Sequence, residues 1–224
     1  LLPDGKTKRG SVITRKDKGI EALKIKEWSS REALRTLAFW LLLAINVVIA
    51  AILYMVGIHI VAHATDVGIA ATTATSIMIF MGGANILSKV VVGGIAVKIG
   101  SKLTLLLCLL LKAIALFSFT VIEDLWMFCT VAAILGFGFG GSAPLLASMV
   151  AEFFGVKSVG VIMGLTGVGW AAGCALGTVF GDYIFDVRGS YIIAFLVTGV
   201  VAMVAGMLVL LLRTPSKYSS GGYT

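Results

Sequence analysis

Asn85 and Lys89 lie four residues apart in "NILSKVVVGGIAVKIGSK", a stretch that is otherwise lipid-soluble. Residues four apart share one face of a helix. An amide and an ammonium on one such face can take an anion, with the cation supplying charge and the amide orienting the bound group. Lys89 stands nine residues before Lys98, about 13 Å away at 1.5 Å per residue. An ammonium left in lipid at that depth costs roughly 2.5 kcal/mol or more. Lys89 is therefore expected to face the protein interior or a water-filled cavity. The competing reading is a lysine that snorkels or pairs within the protein.

A second lysine, Lys112, sits in "LLLCLLLKAIALF", ten residues after Lys102. Its neighbours are apolar on every face and the sequence offers it no acidic partner. It could face an internal cavity, pair with protein outside this chain, or be tolerated through water defects. Acids are absent at this depth, since Asp66, Glu123, Asp124, Asp182 and Asp186 all fall near one edge of the apolar runs. No acid in the runs is therefore placed to carry a coupled proton. His59 and His63 are also four apart, as a helical metal pair would be. They lack the intervening glutamate of a metalloprotease and lie near the edge, so they read as interface or vestibule histidines. Ser142 has no histidine at its depth to serve as base, and Cys108, Cys129 and Cys174 have no metal-type spacing. The chain is not read as an enzyme, and no cofactor or metal is expected.

The elements that must position these side chains are membrane helices. Of 224 residues, 59% are hydrophobic and 13% charged, whereas soluble domains are about half apolar and a quarter charged. Apolar runs long enough to cross a bilayer predict spans over residues 36–62, 70–97, 103–122, 125–153, 158–183 and 191–212. In "WSSREAL", Ser29 and Glu32 form a capping-box pattern before the first run. Ten Lys and Arg residues precede the first span, and fifteen in all fall on one side of this topology. Arg188 alone falls on the other, together with the edge acids. The positive-inside rule then places both termini in the cytoplasm. The expected organisation is a basic cytoplasmic segment over 1–33, a six-helix bundle over 34–213 and a cytoplasmic tail over 214–224. The formal charge of +7 follows from that topology, and a basic juxtamembrane segment meets anionic lipid rather than nucleic acid.

Two glycine patterns stand out. Gly169, Gly173, Gly177 and Gly181 recur every four residues in the fifth span, the signature of a close helix contact. The fourth span carries "GFGFGGSAP", where a hinge or unwound segment is expected.

In "GGIAVKIGSK", Gly93, Lys98, Gly100 and Lys102 match the loop motif of the major facilitator superfamily, with Val97 where that motif has Asp. The chain resembles the C-terminal half of that family, helices seven to twelve of a twelve-helix fold. Residues 1–33 would correspond to the central loop, and a missing N-terminal six-helix half would be the partner. Within the family, Asn85 and Lys89 stand where the monocarboxylate and oxalate–formate antiporter branches carry an acid and then an arginine. "GFGFGGSAPLLASMVAEFFGVKSVGVIMG" and "DVRGSYIIAF" are similar to those branches too. The resemblance implies an antiporter or symporter of small organic anions in a plasma or inner membrane, with a proton or counter-anion as coupling partner. It implies that Lys89 binds a substrate carboxylate and Asn85 orients it. Trp170 and Tyr54 would line the cavity walls. Gly93, Lys98, Gly100 and Lys102 would form a cytoplasmic gate, with Glu152 pairing to Lys98 or Lys102. Two other readings stay open: a superfamily transporter of a non-anionic solute, and a non-transporting six-span scaffold.

Overall fold

A computed structural model describes residues 29–155 and 159–213. Most of the basic segment over 1–33, Lys157 and the tail over 214–224 lie outside the described residues. The chain is an all-α bundle of six membrane-spanning helices. A short helix, α1 (Ser30–Ala33), precedes the first span, α2 (Leu37–Asp66). The second span is α3 (Ala71–Ala74) followed by α4 (Ser76–Ile99), and the third is α5 (Ser101–Ser118). The fourth is split into α6 (Leu125–Gly140) and α7 (Ser142–Phe154). The fifth is α8 (Val159–Arg188) and the sixth is α9 (Ile192–Leu211).

The capping pattern lies where the sequence put it but starts a different helix. The Ser29 amide donates to Glu32 Oε2 at 3.0 Å, which serves the short α1. The long span begins anew at Thr36, whose hydroxyl accepts from the Phe39 amide at 3.3 Å. Hydropathy also misplaces the helix ends. α2 and α8 run on past their apolar stretches to Asp66 and Arg188, because a helix persists through polar residues until something stops it. Gly68 and Gly189, both at positive φ, stand just beyond those ends. The third span instead stops at Ser118, short of residue 122. There Ser118 Oγ bonds back to the Ile114 carbonyl and Thr120 Oγ1 to that of Phe117, which competes with the helical ladder.

The spans pack as three pairs: α2 along α8, α4 along α6, and α5 along α9. Lipid tails are as apolar as leucine, so helix pairs in a bilayer hold by close packing at small residues. Each pair uses glycine for this. Gly169, Gly173, Gly177 and Gly181 of α8 meet Leu43, Val47, Ala51 and His59 of α2. Gly136 and Gly140 of α6 meet the backbone at Met81 and Asn85 of α4, while Gly199 of α9 meets the Phe117 ring of α5. The glycine cluster of the fourth span thus packs tightly, and the helix also breaks there, at Gly141 between α6 and α7.

Candidate functional site

Close packing between α4 and α6 fixes where Asn85 and Lys89 lie. A side-chain carbon at Gly140 would run into the Asn85 carbonyl and the Ser88 side chain, and one at Gly141 into Val92. Ser88, buried, donates its hydroxyl to the Phe137 carbonyl of α6. These contacts hold one face of α4 against α6. Asn85 is half-buried and Lys89 exposed, and both line a cavity of about 160 Å³ with Phe139, Ser142, Leu146 and Trp170. Three of the four residues expected to bind substrate, Asn85, Lys89 and Trp170, are therefore brought together from α4 and α8. Tyr54 is not among the cavity's lining residues; it is exposed on α2 beside Cys174 of α8. Its position on the helix, one residue past the cavity-lining Leu53, turns it away.

Beyond Trp170 lies a second, larger cavity of about 240 Å³. It shares Ala143, Leu146 and Trp170 with the first and is walled by Leu42, Val150 and Met163. Its polar group is Asn46 of α2, whose side-chain amide donates to the Thr166 carbonyl of α8 at 2.8 Å. One region of the bundle thus joins a cationic, hydrogen-bonding pole at Lys89 and Asn85 to an apolar chamber, with Trp170 between them. That arrangement suits an amphipathic anion: a charged head at one end and an apolar body at the other.

Lys112 lies behind the wall of the first cavity. It is fully buried, and its ammonium donates to Ser142 Oγ at 2.6 Å and stands 4.5 Å from the centre of the Phe139 ring. Ser142 in turn donates to the Gly138 carbonyl at 2.9 Å. Sequence reasoning weighed Ser142 only as a nucleophile and did not single out Phe139 or Asn46. Ser142 follows the double glycine where α6 gives way to α7, and Asn46 is the one side-chain amide in the first apolar run; those were the available signals.

The gate residues separate into two groups. Gly93 and Glu152 line a third cavity, about 270 Å³, with Val97, Ser101, Pro144 and Ser148. Glu152 accepts from Ser101 Oγ at 2.6 Å and Ser148 Oγ at 3.1 Å. The expected ion pair between Glu152 and Lys98 or Lys102 is not formed among the described residues. Lys102 instead donates to the carbonyls of Leu210 and Leu212 at 2.8 Å each, capping the end of α9, where a cation is favoured. Gly100 is the whole connection between α4 and α5, at φ +88°, a backbone that suits only glycine well. Lys98 is exposed on the last turn of α4.

At the opposite end, His59 and His63 are buried rather than lining a vestibule. His59 lies 3.8 Å from Asp182, bonds the Thr178 carbonyl at 3.3 Å and stacks on Tyr191. His63 bonds the Phe119 carbonyl at 2.9 Å amid Phe128 and Phe195. They join helices, and among the described residues no group of three ligands suited to a metal ion occurs.

A family model described as the Major Facilitator Superfamily matches residues 12–222. No curated protein matches the chain.

Proposed function

Because the chain belongs to the Major Facilitator Superfamily and is an integral membrane transporter, we propose that its cargo is a small organic anion carrying one carboxylate and an apolar body. The observation that carries this reading is the shared cavity of Asn85, Lys89 and Trp170, beside an apolar chamber with which it shares Ala143, Leu146 and Trp170 as walls. Lys89 attracts the carboxylate, Asn85 orients it, and the apolar remainder lies against Leu42, Met163 and Trp170. A charge-assisted hydrogen bond contributes about 1.5–3 kcal/mol, enough to select an anion over a neutral analogue by tenfold or more. One ammonium at the rim fits a monocarboxylate better than a dicarboxylate, whose second charge would enter the apolar chamber.

In this reading the six helices act as the C-terminal half of a two-bundle transporter, with both termini in the cytoplasm of a plasma or inner membrane. The two least covered spans support it. Only 22% of an 18-residue apolar stretch of the second span, and of the fifth, is buried, against 67% of the fourth. The Lys89 side of α4 and the Trp170 side of α8 then form one wall of a central pathway, and a second bundle supplies the other. Rocking of the two bundles about the midplane exposes the anion to each side in turn. The cavity between Gly93 and Glu152 lies at the cytoplasmic end, where closure would occur.

The test is uptake into vesicles holding the protein expressed from its complete reading frame. The probes are labelled acetate, butyrate, lactate, oxalate and succinate, with an uncharged amide of butyrate as control. Uptake of butyrate that Lys89→Gln abolishes supports the reading. Uptake of the amide but of none of the acids would replace it with a neutral-solute transporter. Uptake of none of these probes by folded protein would point to another class of solute, and only then to a scaffold.

A further inference from the structure

Lys112 has a geometry that substrate binding alone does not account for. It is fully enclosed, and the hydrogen bonds among the described residues join its ammonium to one group, Ser142 Oγ. Ser142 also lines the cavity that holds Lys89 and Asn85, and so does Phe139, whose ring the Lys112 ammonium overlies. One hydroxyl and one ring therefore stand both in the cavity's wall and against the Lys112 ammonium.

The charges facing Lys112 can be surveyed helix by helix. α5 packs against α9, α6, α7 and α4. α9 carries no ionisable side chain, and α6 carries only Cys129. α7 presents Ser142, while its Glu152 lies ten residues further on, about 15 Å along the helix, held by Ser101 and Ser148. α4 contributes Lys89 across the cavity wall, with Lys98 and α5's own Lys102 toward the end of the bundle. On α5 itself Cys108 stands one turn before Lys112. Among the described residues no carboxylate faces the ammonium. Burying an unpaired charge is costly, and an anion placed one side chain away lowers that cost.

We infer that Lys112 is the proton-binding site of this protein, taking up one proton through Ser142 when an anion occupies the cavity beside Lys89. The inference rests on the anion site proposed above. The exchange balances simply. With Lys112 as the free amine, the Ser142 hydroxyl turns from the Gly138 carbonyl to donate to it. A proton from cavity water then passes to the Ser142 oxygen as the hydroxyl proton passes to the amine, leaving an ammonium and an unchanged serine that turns back to Gly138. The bound carboxylate cancels the repulsion that the Lys89 charge exerts on a second cation nearby, so charging the buried Lys112 amine costs less in the low-dielectric site. When the anion leaves, the proton returns by the same route. Binding of anion and proton is then mutually favourable, and the coupling is reciprocal.

The experiment measures butyrate binding to the purified full-length protein between about pH 6 and pH 8.5, where the carboxylate is ionised, together with proton uptake in weak buffer. In wild type the dissociation constant should fall by up to about tenfold per pH unit as pH is lowered, the limit for one linked proton, with about one proton taken up per butyrate. Lys112→Met should bind more weakly, with less than about twofold change across the range and no proton uptake, since it has no group to titrate. Lys112→Arg, which stays protonated, should bind with equally little pH dependence and no uptake. The arginine side chain is bulkier, so thermal melting monitors the fold of that variant, while the methionine variant is close in shape and loses only the buried amine and its bond to Ser142. Ser142→Ala should slow proton uptake while Lys112 remains. Proton uptake that persists in both Lys112 variants overturns the inference and leaves the anion site standing. Binding that is pH-independent in wild type does the same. No butyrate binding at any pH overturns both readings.

Discussion

Two lysines lie at membrane depth in this chain, on helices covered to different degrees. Lys89 stands exposed at the rim of a cavity on α4, part of a span left largely open by its neighbours. Lys112 stands on α5 with none of its surface accessible, beneath Phe139 and Ser142. Ser142 lies between them, a cavity-lining residue on one side and the hydrogen-bond acceptor of Lys112 on the other. Position on the bundle, rather than residue type, decides that one lysine can meet a solute and the other can meet only a proton.

The largest effect that sharpens this contrast is at the open lysine. Lys89→Gln keeps a hydrogen-bonding group on a slightly shorter side chain but removes the charge. It should weaken carboxylate binding by about ten- to a hundredfold, as a lost charge-assisted bond of about 1.5–3 kcal/mol implies, with helicity and melting unchanged. Equal loss of fold would mean that Lys89 is structural and would break the contrast.

The second effect is on the scaffold that aims Lys89. Gly140→Val places branched carbon against the Asn85 backbone and Ser88. Overpacking of this kind costs about 1–3 kcal/mol and should displace α4, lowering both the melting temperature and butyrate affinity. Gly57→Val is the control, because a side chain at Gly57 meets nothing nearby; it should leave both quantities close to wild type.

The third effect has the opposite sign at the enclosed lysine. Lys112→Met removes a buried ionisable amine that faces no carboxylate among the described residues while filling much the same space, and replacing such groups with apolar ones of similar volume is often neutral or stabilising. Melting should be unchanged or raised by a few degrees, at about 2–4 °C per kcal/mol for a chain of this size. A sharp drop would show that Lys112 holds the bundle together. The smallest effect is at Tyr54, which the cavity excludes. Tyr54→Phe should leave butyrate affinity within about twofold of wild type, whereas Trp170→Ala, which opens both cavities, should weaken it several-fold.

Much of the fold was legible because a membrane span is written as a long apolar run and a close helix contact as spaced glycines. The stripe from Gly169 to Gly181 read directly as the seam with another helix. Helix ends were less legible, since hydropathy stops at Ala62 or Tyr183 while the backbone continues to Asp66 and Arg188. That Asn85 and Lys89 share a face followed from depth and helical spacing, whereas Trp170 joined them only through the family resemblance. The exclusion of Tyr54 did not, because depth alone does not fix which way a residue on α2 faces. The partners of Lys112 and Lys102 were hidden for a similar reason. A hydroxyl on a broken helix and carbonyls at the end of another leave no charge in the sequence to be matched.

The most direct test of the contrast is chemical. Purified protein is treated with a small amine-acylating reagent, with and without butyrate, and modification at each lysine is read by mass spectrometry. Lys89 should be modified and then protected by butyrate in proportion to occupancy, while Lys112 stays unmodified until the protein is unfolded. Lys89 modified equally at saturating butyrate, in protein shown to bind it, would contradict the placement of the anion.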